Sequence, residues 1–467
     1  MNNTLKSMLI AASALTAVSS FAQDKSTLDL LVKKGVITAE ERAAAMEDSS
    51  NARAASGINR VFPKEDATKR LTISGYFQSQ YESFASSSKA TSSSSSVDSP
   101  SSSGFIMRRL YLEILADIGE GLSGNVVMDM SGNTNSRTSS GKDSYLDRAM
   151  LSLAGSYGTV DLGYRKVAWG YEESTLSSLF KASSSKLLTV ERGITNRYWN
   201  EAENGSADSI SSDGRRLGFG AHHVGVFYSS VPNPQGLEYG LSVTNANRDF
   251  STAGAGQNDL GLYANLAYNN KVSDNEKYAV GVNYGSVKYF NAKKGVNALA
   301  EMEGFNPFVQ AQYFNWTVMA EYFNTKITSS KDAATNVTND ADATPTGYNV
   351  TVAYKLNDNW EAVARYSQLD TDNRGIAIGD GVRDYSGISS NYNKVDSYYL
   401  GLNYFFTLNA LGSAVYGPNA KIQFGYELSK FDGKQGTTTG SGSNHVAVFG
   451  TGSADVNSIR LQAQVAF

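Results

Sequence analysis

Hydrolysis by a histidine base, or metal binding through imidazole, would have to start in this chain from His222, His223 and His445, since the sequence has three histidines and no cysteine. Hydrolysis by a Ser/His or Asp/His constellation needs the imidazole beside its partners. No Gly-x-Ser-x-Gly elbow stands near any of the three. His222 and His223 are adjacent on an expected strand, so they point to opposite faces and cannot chelate one ion. His445 lies in a Gly/Ser-rich stretch. Asp340 and Asp342 offer a weak calcium site at best, and a solvated acidic loop is the plainer reading. The glycines of 214–225 do not precede a helix, as a nucleotide-binding loop requires. The absence of cysteine excludes thiolate zinc, iron–sulfur clusters and a disulfide scaffold. These residues point to no cofactor, no metal and no enzyme.

The elements that must carry whatever chemistry remains are strands. From Leu71 onward the sequence alternates with period two. Leu110, Leu112 and Ile114 interleave with Arg109, Tyr111 and Glu113, and Ile459, Leu461, Ala463, Val465 and Phe467 interleave with Arg460, Gln462 and Gln464. Strict alternation means one wet face and one apolar face. Many of these runs reach about 9–11 residues, enough to cross a bilayer at a tilt. Connections alternate between short, as at 117–121, 232–236, 270–277 and 357–359, and long, as at 84–104, 169–213, 328–345, 370–394 and 432–453. Aromatic residues such as Trp316, Trp360, Tyr398, Tyr399, Phe405 and Phe406 gather at strand ends. Together these are the marks of an outer-membrane barrel. Lipid offers no hydrogen-bond partner, so the sheet must close on itself.

The expected fold is therefore all-β: a transmembrane antiparallel barrel of about 16 strands over 70–467. Strand starts are expected near Leu71, Phe105, Leu122, Ser144, Gly158, Arg215, Leu237, Asn258, Tyr278, Phe305, Trp316, Thr346, Trp360, Val395, Ala420 and Ala454. Residues 86–103 hold twelve serines in eighteen positions and are expected to be a flexible external loop.

Residues 1–22 read as a secretory signal peptide. Lys6 is the basic segment, Met8 to Val18 the apolar one, and Ser20 and Ala22 sit at the cleavage positions. Its removal takes the formal charge from −4 to −5. Residues 23–69 are expected to be a short helical periplasmic extension and linker, with Thr38 and Glu41 forming a capping box. No later run of about 18 apolar residues exists. The slight net acidity excludes a strongly basic nucleic-acid binder. Phe467 ends the chain on the apolar face of the last strand, which resembles the signal read by the barrel assembly machinery. The expected location is the outer membrane of a Gram-negative bacterium, in contact with its lipid.

Two stretches carry a family resemblance. One is Phe105-Ile106-Met107-Arg108-Arg109-Leu110-Tyr111-Leu112-Glu113. The other begins Val160-Asp161-Leu162-Gly163-Tyr164-Arg165-Lys166, continues through Trp169-Gly170-Tyr171-Glu172-Glu173-Ser174 and Ser177-Ser178, and reaches Thr189-Val190-Glu191-Arg192. Together they resemble the phosphate-selective porin O and P family. The resemblance implies a trimeric sixteen-stranded channel whose long third loop narrows the pore. It carries Arg108, Arg109, Arg165 and Arg192 onto the family's basic positions. Where the family places a basic residue before the Ser pair, this chain has Glu172 and Glu173, and Lys181 and Lys186 are the available substitutes.

The residues themselves temper an anion preference. Between Trp169 and Asp213 stand four basic residues, Lys181, Lys186, Arg192 and Arg197, against seven acidic ones. Wide pores select by rings of charge and by constriction size, and this balance gives no single-sign filter. Alternation places Arg109 and Arg165 on the wet face, together with Arg365, Arg460, Glu321 and Glu427. It places Arg108 on the apolar face, where an arginine at mid-depth costs roughly 2–4 kcal/mol, so Arg108 is expected at the barrel rim or a subunit interface. For each of these charges, a salt bridge that braces the wall is the competing role. The expected function is passive diffusion of small hydrophilic solutes and ions, with an anion or phosphate preference implied by the resemblance. A plugged barrel serving structure or adhesion is the alternative.

Overall fold

A computed structural model describes residues 33–34, 71–90, 96–131, 146–173, 187–200, 216–245, 260–288, 299–329, 342–372, 375–382, 391–406, 420–439 and 446–466. The signal peptide, nearly all of the helical extension, Lys181, Lys186 and Phe467 lie outside the described residues. The chain divides into two compact units. One comprises Met1–Thr72 with Leu115–Glu120, and the other Ile73–Ile114 with Gly121–Phe467.

Among the described residues, eighteen strands form one antiparallel sheet. They are β1 (Leu71–Ala90), β2 (Ser96–Gly119), β3 (Leu122–Asp129), β4 (Leu146–Gly155), β5 (Gly158–Lys166), β6 (His222–Ser230), β7 (Leu237–Asn245), β8 (Leu260–Ser273), β9 (Glu276–Lys288), β10 (Leu299–Tyr313), β11 (Trp316–Ser329), β12 (Thr346–Lys355), β13 (Trp360–Asp370), β14 (Ile376–Ala377), β15 (Asn391–Tyr392), β16 (Lys394–Phe406), β17 (Ala420–Thr439) and β18 (Val446–Ala466). β14 and β15 are two-residue pieces of one connection, and β13 pairs directly with β16. The other sixteen strands close into a barrel, sealed where β1 pairs with β18 from Tyr76–Ala466 to Ala90–Gly452. Eight strands begin at the expected residue: β1, β3, β5, β7, β11, β12, β13 and β17.

Alternation explains the wall. Along β13 the buried residues are Glu361, Val363, Arg365, Ser367 and Leu369, while Ala362, Ala364 and Tyr366 face outward. The outward set is apolar in mid-strand: Leu400 is 63% exposed, with Leu402, Val350 and Phe424 beside it in the same band. Aromatic rows bound this band. Trp316 meets Tyr354 at 4.5 Å and Trp360 meets Tyr404 at 4.7 Å on the short-turn side, and Tyr366 meets Tyr398 at 5.0 Å toward the other. One register step beyond lies the row Gln368, Asp396, Lys430 and Asp455, where charge returns. Rings at the interface and charge beyond it fit a lipid-facing surface.

Short turns join strands at one end. At the β2–β3 turn Gly119, Glu120 and Gly121 all have positive φ, of 102°, 53° and 80°. A Cβ at Gly121 would stand 2.3 Å from the Ala154 carbonyl oxygen, so this left-handed hairpin needs glycine.

Three expectations need correction. The serine-rich tract is not simply a loop: β1 runs to Ala90 and β2 starts at Ser96. Likewise β17 reaches Thr439 and β18 starts at Val446, within the expected loop 432–453. The start expected at Arg215 lies outside the described residues, and β6 begins at His222. Leu217 and Phe219 alternate with glycines but are buried, and the Leu217 amide donates to the Tyr198 carbonyl at 2.6 Å.

Candidate functional site: an inserted loop

β5 and β6 are joined by residues 167–221, whose described parts lie inside the barrel. Val167, Trp169 and Tyr171 enter first. Trp169 is 0% exposed and sets its ring edge-on to Phe219 at 4.6 Å. Tyr171 stacks on Phe308 of β10 at 4.2 Å, and its amide donates to Glu321 of β11 at 2.7 Å. Burial pushes its phenol well above the ordinary tyrosine range, with Glu321 and Glu238 adding to the rise. Glu172 accepts from the Asn196 amide at 2.9 Å and from Asn349 of β12 at 3.3 Å. Glu173 ion-pairs with both Lys166 and Arg192.

Residues 187–191 continue along the inner wall. The Leu187 carbonyl accepts from Lys421 and Gln423 of β17, both at 3.1 Å, and the Leu188 carbonyl from Asn403 of β16 at 2.8 Å. The Val190 amide donates to the Tyr399 hydroxyl at 3.1 Å. Tyr399 lies flat because its neighbours are glycines: a Cβ at Gly401 or Gly425 would stand within 2.6 Å of its ring or hydroxyl. Arg365 of β13 donates to Thr189 Oγ1 at 2.8 Å and to the Glu191 carbonyl at 2.7 Å.

The segment ends in α1 (Ile194–Asn200), a seven-residue helix buried at every position. A helix this short has little stability of its own and depends on packing. Trp199 supplies it, donating Nε1 to Thr325 at 2.8 Å and stacking on Phe323 at 4.8 Å. Across its length the loop is anchored on β2, β10, β11, β12, β13, β16 and β17.

The arginines singled out in the sequence fall into separate groups. Arg108 and Arg109 are both buried, at 4% and 2% exposure, whereas Phe105 is 81% exposed. The inward set changes parity between Arg108 and Arg109, as it does across a β-bulge. Strict alternation therefore assigned Arg108 to the wrong face. It faces inside, where Nε meets Glu191 Oε1 at 2.5 Å and Nη2 meets Oε2 at 3.2 Å. Burial opposes ionisation of Glu191, but Arg108, Arg109 and Arg460 overcome it and hold the carboxyl at about 2.

Arg109 donates to Gln78 at 2.8 Å. Arg165 pairs with Asp161 and covers the Phe227 ring at 5.2 Å. Arg192 meets Glu173, and Arg197 is buried within α1. The two adjacent histidines diverge. His222 stacks on Tyr164 and approaches Asp147, whereas His223 meets the Asn245 carbonyl and Tyr263. Among the described residues no group of three or more His, Cys, Asp or Glu could hold a metal ion. Sequence reasoning put Arg365, Arg460, Glu321 and Glu427 on the wet face but missed them as anchors. The glycines flanking Tyr399 were the available signal.

The model of the phosphate-selective porin O and P family matches residues 88–467. The chain belongs to that family. It is an outer-membrane porin, a channel for passive diffusion of small hydrophilic solutes. No curated protein matches it. Among solved structures, the anion-selective porin from Comamonas acidovorans is 15% identical, with 85% of this chain and 99% of that chain covered and a TM-score of 0.50. OmpT, an outer membrane protein of Vibrio cholerae, is 12% identical over 85% and 97% at a TM-score of 0.47. The outer membrane channel DcaP of Acinetobacter baumannii is 12% identical over 85% and 97% at 0.45. Likeness at these identities concerns the fold of this porin alone.

Proposed function

We propose that the loop 167–221 is the constriction of this porin and that the channel favours small anions only weakly. The observation that carries the reading is the run of Leu187–Asn200 inside the barrel, bonded to strands from β2 around to β11. A segment held at so many points narrows the lumen without blocking it by chance motion. Weak selectivity follows from compensation. Arg108 pairs with Glu191, Arg192 and Lys166 with Glu173, Arg165 with Asp161, and Arg365 and Arg460 with Glu427. Mixed signs at close range orient dipolar solutes and filter little by charge. The family's phosphate selectivity and the anion-selective relative both favour a residual anion preference.

Arg109, Arg165 and Arg192, with Arg197, Lys181 and Lys186, are the groups assigned to that preference. The channel works without catalysis. A homotrimer and recognition of Phe467 by the barrel assembly machinery complete the reading; one solved relative is a trimer form of OmpT.

The test is ion selectivity in planar bilayers. Wild-type reversal potentials in a KCl gradient are expected to show a modest chloride preference, with phosphate slowing chloride current. An Arg109→Ala, Arg165→Ala, Arg192→Ala triple variant is expected to lose that preference. An unchanged reversal potential would remove these residues from the filter.

A further inference from the structure

The connection between β13 and β16 also enters the barrel, and its geometry is as built as that of the first loop. Its neck is closed by the Thr371 amide donating to the Asn393 carbonyl at 2.8 Å, and by the Gly375 amide donating to Thr371 Oγ1 at 2.8 Å. β14 pairs with β15 above that neck. Between them lies α2 (Ile378–Val382), which packs against α1 and β18. Ile376, Ile378, Val382 and Tyr392 are buried in one apolar cluster with Ile194, Tyr198 and Trp199 of α1. Two loops from different ends of the sequence thus share a core inside the barrel.

One carboxylate joins their polar attachments. Arg365, Tyr399, Glu427 and Ser458 form a single cross-strand row on β13, β16, β17 and β18. Glu427 Oε1 accepts from Arg365 Nη2 at 3.0 Å and from the Ser397 hydroxyl at 2.6 Å, and Oε2 accepts from Arg460 Nη1 at 3.0 Å. The free arms of both arginines reach loop backbone. Arg365 Nη1 holds Thr189 and the Glu191 carbonyl of the first loop, and Arg460 Nη2 donates to the Val382 carbonyl at the end of α2. Each guanidinium also lies over an aromatic ring, Tyr399 at 5.1 Å and Phe84 at 5.1 Å. A buried guanidinium is held in one orientation when a carboxylate fixes one edge of its planar fork and a ring covers its face.

We propose that the described parts of this connection, 371–372, 375–382 and 391–393, form the second half of the constriction and that Glu427 is the positioning residue that locks both halves into one unit. The inference rests on the reading of 167–221 as the first half. It gives Arg365 and Arg460 a role distinct from attracting solutes: their Nη groups are committed to loop atoms and to Glu427. Loosening the clamp therefore changes pore size and steadiness, while charge selectivity stays with other residues.

Single-channel recording of the full protein in planar bilayers tests this. Ile378→Ser with Val382→Ser frees the second loop without touching any wall charge. The pair is expected to raise conductance at least ~1.5-fold and to add open-state noise, with the reversal potential unchanged. Glu427→Gln is expected to raise conductance and open-state noise in the same way, and Glu427→Asp to restore wild-type behaviour at least partly. Combining Glu427→Gln with the serine pair is expected to add nothing, because both act on one unit. Trp199→Ala, which removes the first loop's own bond to Thr325 and stack on Phe323, is the control. If Trp199→Ala raises conductance and the serine pair does not, the second loop is no part of the constriction and the proposal falls. If neither alters it, the reading of 167–221 falls as well. Should Glu427→Gln fail to fold, the serine pair decides alone.

Discussion

The two faces of the same strands obey different rules. On β16 the outward Leu400 and Leu402 touch no specific partner, and any apolar side chain of similar size would serve. One position away, on the inner face, Tyr399 reaches the Val190 amide and Asn403 the Leu188 carbonyl. Outside, burial in lipid is collective and tolerant. Inside, polar groups are committed to particular partners on the loops or on neighbouring strands. The outer face should therefore respond to changes of polarity alone, and the inner face to loss of particular partners.

The largest effect is expected where the loop has most to lose. Trp199→Ala deletes the stack on Phe323 and the bond to Thr325, a truncation of a size that costs about 3–5 kcal/mol in a packed site. Because the barrel itself keeps its strand pairing, the cost should appear as loop release, read as protease cleavage near 187–200. An intact, uncut loop would mean that the indole is dispensable. Arg108→Met comes next. It strands a buried Glu191 and should destabilise loop docking by about 3–5 kcal/mol, whereas Arg108→Met with Glu191→Leu should recover most of that loss. Equal damage from single and double variants would break the claim that inner residues work as pairs. On the outer face, Leu400→Arg has no partner to lose, yet it should cost roughly 2–4 kcal/mol at mid-band. Equilibrium unfolding in lipid vesicles measures this. A neutral result would place Leu400 outside the lipid.

These contrasts explain what the sequence made legible. Alternation reports solvent on either side of a strand, so the sixteen strands, the short turns and the aromatic rows could be read directly. It did not show how far β1, β2, β17 and β18 extend. It misleads where parity slips, which sent Arg108 to the wrong face. Partners are a matter of three-dimensional closure. Glu427 and Arg460 stand on neighbouring strands but are 33 residues apart in sequence, and no spacing rule connects them. The fold of α1 was equally hidden, since Ile194–Asn200 has no amphipathic stripe: all of its faces are buried.

Acidity distinguishes the faces more gently. The Glu191 carboxyl, at about 2 against an ordinary 4.5, is depressed by its arginines. Its contribution to loop docking is then complete above the unfolded value and is lost as pH falls from about 4.5 toward 2. Open-channel noise should stay flat from pH 7 to about 5 and rise only below that window. Glu191→Gln should be noisier at neutral pH and flat through the acid range. Unchanged acid sensitivity in that variant would assign the titration to another group.

The smallest effect is expected where an outer residue behaves like an inner one. The Tyr366 hydroxyl faces outward, yet it donates to Asp396 Oδ1 at 2.6 Å, and Gln368 donates to the same oxygen at 3.1 Å. This contact lies at the edge of the band, where charge returns and water competes for both groups. Tyr366→Phe keeps the ring in the aromatic row with Tyr398 and removes only the hydroxyl. Asp396 retains Gln368 and solvent, so nothing is left buried and unpaired. The expected loss is about 1 kcal/mol, measured as a small shift of the unfolding midpoint with conductance unchanged. A loss as large as that from Arg108→Met would mean that partner-specific bonding extends to the outer wall, and the division between the two faces would have to be redrawn along depth in the membrane.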